Sequence, residues 1–258
     1  MRARGGIIAA CARPGVSRRR NLIVGWALAV LAIALFVRLG LWQSQRAVEK
    51  QAMLDASAQV LARRTPVSLA QAANRERIHN YDWGVGAGRF ADKGPLWLDN
   101  QQRDGRAGVH AYRVFLPEGA IQPILIDLGW LPLPPTRVMP AIALPKGRIE
   151  VRGLLVPPPS SGLALGTGIA RQRDGWVLTR IDMDVVSRTL DLQPPLAPRV
   201  LRLDPALPLG YERDLQLLAN TLQPERHRGY ALQWFALAIA VLVTALILTF
   251  RKARHEPR

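Results

Sequence analysis

The sequence predicts an α+β membrane protein: two transmembrane helices, one near each end, flank one mainly antiparallel β extracytoplasmic domain with short helices. Three observations carry this. Uncharged apolar runs stand at Leu22–Val37 and Ala231–Phe250. Basic residues concentrate just outside those runs. The long stretch between them alternates apolar and polar residues in short segments broken by Gly and Pro, the period of strands rather than helices.

The first run reads "LIVGWALAVLAIALFV" and continues through Arg38 into "LGLW"; the second reads "ALQWFALAIAVLVTALILTF". With Arg38 snorkelling, each is about 20 residues, and at about 1.5 Å per residue that spans a hydrocarbon core of about 30 Å. Membrane helices are expected over residues 21–42 and 230–250. The first run is longer than a signal-peptide core of about 7–15 residues, so it reads as an uncleaved anchor. Gly25 and Ala29, with Ala236 and Ala240, form small-residue pairs four apart that let helices approach closely.

Charge sets the expected orientation. Residues 1–20 hold six Arg and no acid, and residues 251–258 hold four basic residues and one acid. The 43–229 segment mixes 24 basic with 18 acidic residues. Short basic flanks stay in the cytoplasm, so both tails (1–20 and 251–258) are expected inside and residues 43–229 outside; the short basic start runs directly into the membrane helix, which favours a bacterial inner membrane with the central segment periplasmic. The net charge of +16 would suit a nucleic-acid binder, but more than half of it lies in the tails and Arg38, so that class is set aside. The only cysteine, Cys11, falls in the first tail. The outer segment therefore has no disulfide and no thiolate metal site, which excludes a Cys-based copper carrier or a thiol oxidoreductase there.

Along the outer segment, "AVEKQAMLDASAQVLARR" has helical apolar spacing and should extend the first helix outward until Pro66 stops it. "SLAQAA" fits another short helix. "YDWGVGAGRF", "PILIDLGWLP", "GRIEVRGLLVP", "GWVLTRI" and "PRVLRLD" read as strands. "GPLWLDN" and "GVHAYRVFLP" flank the turn-rich "QQRDGRA" and read as a hairpin. "DMDVVSRTLDL" is the one clear helix among them, with Asp182 as its N-cap. The closely spaced glycines of "GVGAGRF" lie in a strand pattern with no helix after them, which favours a tightly packed strand over a phosphate loop. No P-loop, CxxC pair, HExxH or GxSxG occurs, and the acids are scattered. His79 and His110 fall on a loop and a strand as surface or structural residues.

One stretch stands out. "PERHRGYALQWF" carries His227, one of only four histidines, to the membrane boundary. On a helix beginning near Pro224, His227, Tyr230, Ala231 and Trp234 share one stripe at i, i+3, i+4 and i+7. A neutral imidazole is a standard axial ligand for haem iron, and Arg228, Arg226, Arg38 and Arg46 could pair with propionates. The plainer reading is an interfacial histidine that hydrogen-bonds headgroups or the outer domain. Trp42, Trp234 and Tyr230 also suit an aromatic belt.

In order along the chain, "LGLWQSQRAVEKQAML", "GRF", "LWLDNQQRDGRAGVHAYRVFLP", "ILIDLGWLP" and "RHRGYALQWFALA", with a helix at each end, resemble the Surfeit locus protein one family, membrane assembly factors for cytochrome c oxidase. The resemblance spans nearly the whole chain. Two departures stand out: Asp127-Leu128 replaces an Asn-Arg pair, and Arg228 replaces an apolar residue after the histidine. The resemblance implies a role in maturing subunit I of haem-copper oxidases, and binding of haem A with His227 as axial ligand to the iron. Tyr230, Trp234 and Arg228 are the companion candidates for the cofactor site. Expected partners are subunit I, haem A synthase and the bilayer, with no nucleic acid. As a carrier the protein would have no catalytic residue and is not expected to be an enzyme. The competing readings are a cofactor-free scaffold that stabilises an oxidase assembly intermediate, and an unrelated two-helix envelope protein.

Overall fold

The computed structural model describes residues 18–159, 168–217 and 222–250. Most of the two basic tails, Cys11 included, lies outside the described residues. The chain forms two compact units, one made of Met1–Lys50 with Gln223–Arg258 and the other of Gln51–Leu222.

The first unit holds two long helices. Helix α1 runs Arg18–Arg63, so it starts inside the segment expected as a tail and continues without a break past residue 42 into the second unit. Helix α3 runs Pro224–Phe250, with Pro at the first helical position, where its missing N–H costs nothing. Both are long and apolar enough to cross a membrane. Their apolar side chains are largely exposed, as in Leu31 and Leu232, the opposite of a soluble core helix. Four contacts fix an antiparallel register between them. Gln43 meets His227, Phe36 and Trp234 stack with centroids 5.6 Å apart, Gly40 faces Phe235, and Trp26 Nε1 donates to Thr249 Oγ1 at 2.9 Å.

The second unit is a nine-stranded mixed sheet. Its strands are β1 (Pro66–Ser68), β2 (Asp82–Phe90), β3 (Leu96–Arg103), β4 (Arg106–Pro117), β5 (Ile124–Pro132), β6 (Ile149–Val156), β7 (Ile169–Gln172), β8 (Gly175–Leu178) and β9 (Val200–Leu203). The order is β1-β2-β6-β9-β5-β4-β3-β8-β7, and β2 also pairs with β4. That extra pairing closes β2, β6, β9, β5 and β4 into a five-stranded barrel. The sheet is mainly antiparallel, as expected, through β2–β4, β2–β6, β3–β4, β4–β5, β6–β9 and β7–β8, but it is mixed, because β1–β2, β3–β8 and β5–β9 run parallel. Each parallel pair joins strands separated by long connections, which local sequence pattern does not reveal.

Local signals explain the turns. The β3–β4 hairpin turns on Asp104 and Gly105, both with positive φ (50° and 75°), as a two-residue turn of this hand requires. Helix α2 (Met183–Thr189) begins where Asp182 accepts from the N–H groups of Asp184 and Val185. "SLAQAA" folds as a 3-10 turn over Leu69–Ala73, capped by Ser68. Gly84, Gly86 and Gly88 form a tightly packed strand: a Cβ at Gly88 would fall 2.2 Å from the Leu116 carbonyl oxygen.

Side chains alternate between two apolar clusters, as a sheet buried on both faces demands. Ile124, Ile126 and Leu128 join Phe90, Phe115 and Trp97 in one. Leu125 joins Tyr112, Val114 and Leu154 in the other, which α2 covers with Val186.

Candidate functional site

Helices α1 and α3 each present a narrow seam with a period near 3.5 residues. On α3 the buried positions are Pro224, His227, Ala231 and Ala238, with Trp234 half-buried between the last two. On α1, Gly40, Ala47 and Lys50 are buried, with Phe36 and Gln43 half-buried on the same line. The sequence placed His227 and Trp234 on one stripe, and the structure brings both to the seam. Tyr230 instead is 40% exposed, on the outer side of α3. Arg228 is also exposed. Small residues mark different places than their spacing suggested. A Cβ on Gly25 would meet nothing within 4 Å, whereas one on Gly40 would lie 2.6 Å from the Phe235 ring, so Gly40 is the point of close approach.

His227 is 6% exposed. Its Nδ1 lies 2.7 Å from Gln43 Oε1, an acceptor that takes the Nδ1–H. Its Nε2 is buried and has no hydrogen-bond partner. A buried polar atom left unmatched costs about 1–3 kcal/mol, and such atoms are uncommon. Among the described residues of the two helices, Nε2 is the buried side-chain nitrogen or oxygen left without a hydrogen-bond partner. Gln43 was not singled out from sequence. Its signal was its position: a polar residue seven after Phe36 and four before Ala47, inside the "LGLWQSQR" segment.

At the far end of the same helices a cleft of about 370 Å³ is lined by Gly25, Trp26, Ala29, Leu237, Ala240 and their neighbours. It is apolar and lies well away from His227, toward the Trp26–Thr249 bond.

Among the buried polar networks of the sheet unit, two centre on Asp127 and on Arg199. Asp127 on β5 receives His110 Nδ1 at 3.0 Å, Gly129 N–H at 2.9 Å and the Tyr112 hydroxyl at 3.4 Å, with Arg202 Nε at 3.8 Å. Burial opposes its ionisation, but the His110 charge and hydrogen bond, Arg202 and the Gly129 N–H outweigh that and hold its carboxyl below the ordinary range. Desolvation and the nearby carboxylate push the Tyr112 hydroxyl well up. Leu128, beside it, packs into the apolar core. At this pair of positions the chain thus has an apolar anchor in Leu128 and an internal ion network at Asp127. The second network centres on Arg199, fully buried, which donates to Asp82, Gln71 and Asn80. Among the described residues no group of three or more His, Cys, Asp or Glu could hold a metal ion. His79 lies in a turn with no cluster around it.

A family model described as the SURF1 family matches residues 30–239, more than three quarters of the chain. The match starts inside α1, ends inside α3, and includes both Gln43 and His227. No curated protein matches the sequence.

Proposed function

The chain belongs to the SURF1 family of cytochrome oxidase assembly factors, and on that premise we propose that it is a carrier which binds haem A at His227 and presents it to oxidase subunit I. The observation that carries this reading is the bare Nε2 of His227, buried in the helix seam with no partner. Haem A is cargo here, and when bound it would supply an iron able to take a nitrogen donor. His227 would hold it through the Nε2 lone pair, with the stacked Phe36 and Trp234 offering aromatic surface on the same seam. Arg46, exposed one turn beyond Gln43 and paired with Glu49 at 3.0 Å, would have to leave that partner to meet a propionate. One histidine at an interhelical edge suits a cargo that must leave again, since a second strong ligand would slow release. Tyr230 and Arg228 are exposed on the outer side of α3, away from the seam. Membership in a family of assembly factors, together with a sheet unit in which His110 is engaged by the buried Asp127, supports transfer rather than catalysis.

In this reading α1 and α3 cross the inner membrane, both tails face the cytoplasm, and the sheet unit is periplasmic. Haem A synthase is the natural source of the cargo.

Purification of the wild type and of His227→Ala in detergent, from cells that make haem A, tests the proposal. A stoichiometric haem absorption band in the wild type, lost in the variant, is the expected result. A colourless wild type of normal fold would overturn it and favour a cofactor-free scaffold that holds an assembly intermediate. Equal bands in both would move the ligand elsewhere.

A further inference from the structure

The geometry points to Gln43 as the positioning residue that makes His227 a ligand. This rests on the carrier reading and adds the group that prepares the imidazole.

A neutral imidazole carries one proton on either ring nitrogen, and only the other nitrogen can donate to a metal. With no partner, a histidine side chain prefers the proton on Nε2, which would blank that atom as a ligand. In the seam, the Gln43 amide oxygen lies 2.7 Å from Nδ1 and can only accept. It therefore holds the proton on Nδ1 and leaves the Nε2 lone pair free. Nε2 is also the ring atom with no other hydrogen-bond partner. The bond further stops ring rotation, so the lone pair keeps one direction.

The surrounding seam holds Gln43 to this task. Gln43 and His227 are 184 positions apart and meet only because the helix register is set. Gly40 against Phe235 and Phe36 against Trp234 fix that register within about two turns further in. A slip of one residue would rotate Gln43 about 100° off the seam.

The choice of an amide also has a chemical reading. Outer partners of ligating histidines are commonly carboxylates or carbonyls, which raise ligand basicity. A carboxylate would push the imidazole toward anionic character and strengthen its hold on ferric iron. A neutral amide orients the ring with less push, the compromise that a carrier needs.

The test uses the full chain in detergent, labelled with nitrogen-15 at its four histidines, as wild type, Gln43→Met, Gln43→Glu and His227→Ala. Methionine keeps the unbranched shape and removes the acceptor. In the haem-free wild type the His227 signals, assigned by their loss in His227→Ala, should show Nδ1 protonated and Nε2 bare. Gln43→Met should move the proton to Nε2 while circular dichroism and thermal midpoint stay near wild type. Haem A titration should then show binding weakened about 10–100-fold in Gln43→Met. Gln43→Glu should restore binding and lower the iron midpoint potential below that of the wild type. An unchanged tautomer with unchanged haem affinity in Gln43→Met would overturn the role of Gln43 and leave the carrier reading intact. A wild type with the Nδ1–H tautomer but no haem binding would overturn the carrier reading itself, and the positioning role with it.

Discussion

Arg199 and Asp82 meet at 2.6 Å inside the sheet unit, the guanidinium with no solvent exposure and the carboxylate nearly so. The same guanidinium also reaches the carbonyls of Gln71 and Asn80, so one side chain from the approach to β9 ties down the 3-10 turn and the entry to β2. Removing one partner of such a pair leaves the other buried and uncompensated, at about 3–5 kcal/mol. Arg77 also donates to Asp82 and softens the loss. Arg199→Met should therefore cost about 3 kcal/mol, read as a lowered thermal midpoint of the full chain in detergent. A change within experimental error would show that Arg77 alone satisfies Asp82.

Acid should loosen the sheet unit in a defined window. Burial opposes ionisation of Asp82, Asp127 and Asp204, but hydrogen bonds and charges from Arg77 and Arg199, from His110 and Arg202, and from Arg152 and Arg64 bring each below the ordinary carboxylate value. Unfolded aspartates titrate near about 3.9. The stability from these pairs is thus fully present above that value and drains away as pH falls through the lower folded values. Thermal midpoints between about pH 3 and 7 should fall steeply only at the acid end. Asp127→Asn should start lower at neutral pH and fall less. A midpoint that declines already near neutrality would point to a different titrating group.

Two glycines on α1 should behave in opposite ways. Gly25 has open space where a Cβ would go, so Gly25→Ala should stabilise by the helix-propensity difference, about 0.8–1 kcal/mol. At Gly40 the same gain is offset by overlap with the Phe235 ring, so Gly40→Ala should destabilise the helix pair. Adding Phe235→Leu should recover part of that loss. Thermal unfolding of the three variants in detergent checks this, and additive single effects would show that the two residues do not touch.

Asp182 caps α2 with two hydrogen bonds. Asp182→Ala should cost about 1 kcal/mol, and Asp182→Ser should recover most of it. Denaturant midpoints of the three proteins make the comparison, and equal values would mean that α2 is held by Val186 and Leu190 alone.

What the sequence revealed follows from the range of the forces involved. The hairpin turn at Asp104-Gly105, the cap at Asp182 and the two apolar helices are set by neighbours within a few residues, and all were readable. Strands β1 and β7 are only three and four residues long and sit at the sheet edges, so they carry no pattern of their own. The parallel pairings and the barrel closure depend on partners far away in the chain. Arg199 in "PRVLRLD" looks like any surface arginine until its three acceptors, more than a hundred positions earlier, fold around it. The site divides in the same way. His227 and Trp234 announced themselves by spacing on one helix. Gln43 did not, because its meaning lies on the other helix, and Tyr230 fell to the outer side because a seam of period 3.5 admits i+4 and i+7 but leaves i+3 outside.

The place of β9 has a consequence for biogenesis. It is the last strand in the chain, yet it lies between β5 and β6 and pairs with both. Until Leu203 is available, two central strands wait with open edges, the exposure that invites pairing with other chains. The antiparallel pairings of β2, β3, β4, β5 and β6 need no β9, but nothing before it can close the ring. The protein therefore assembles late and nearly all at once, and its most aggregation-prone moment is the interval between synthesis of β6 and arrival of β9.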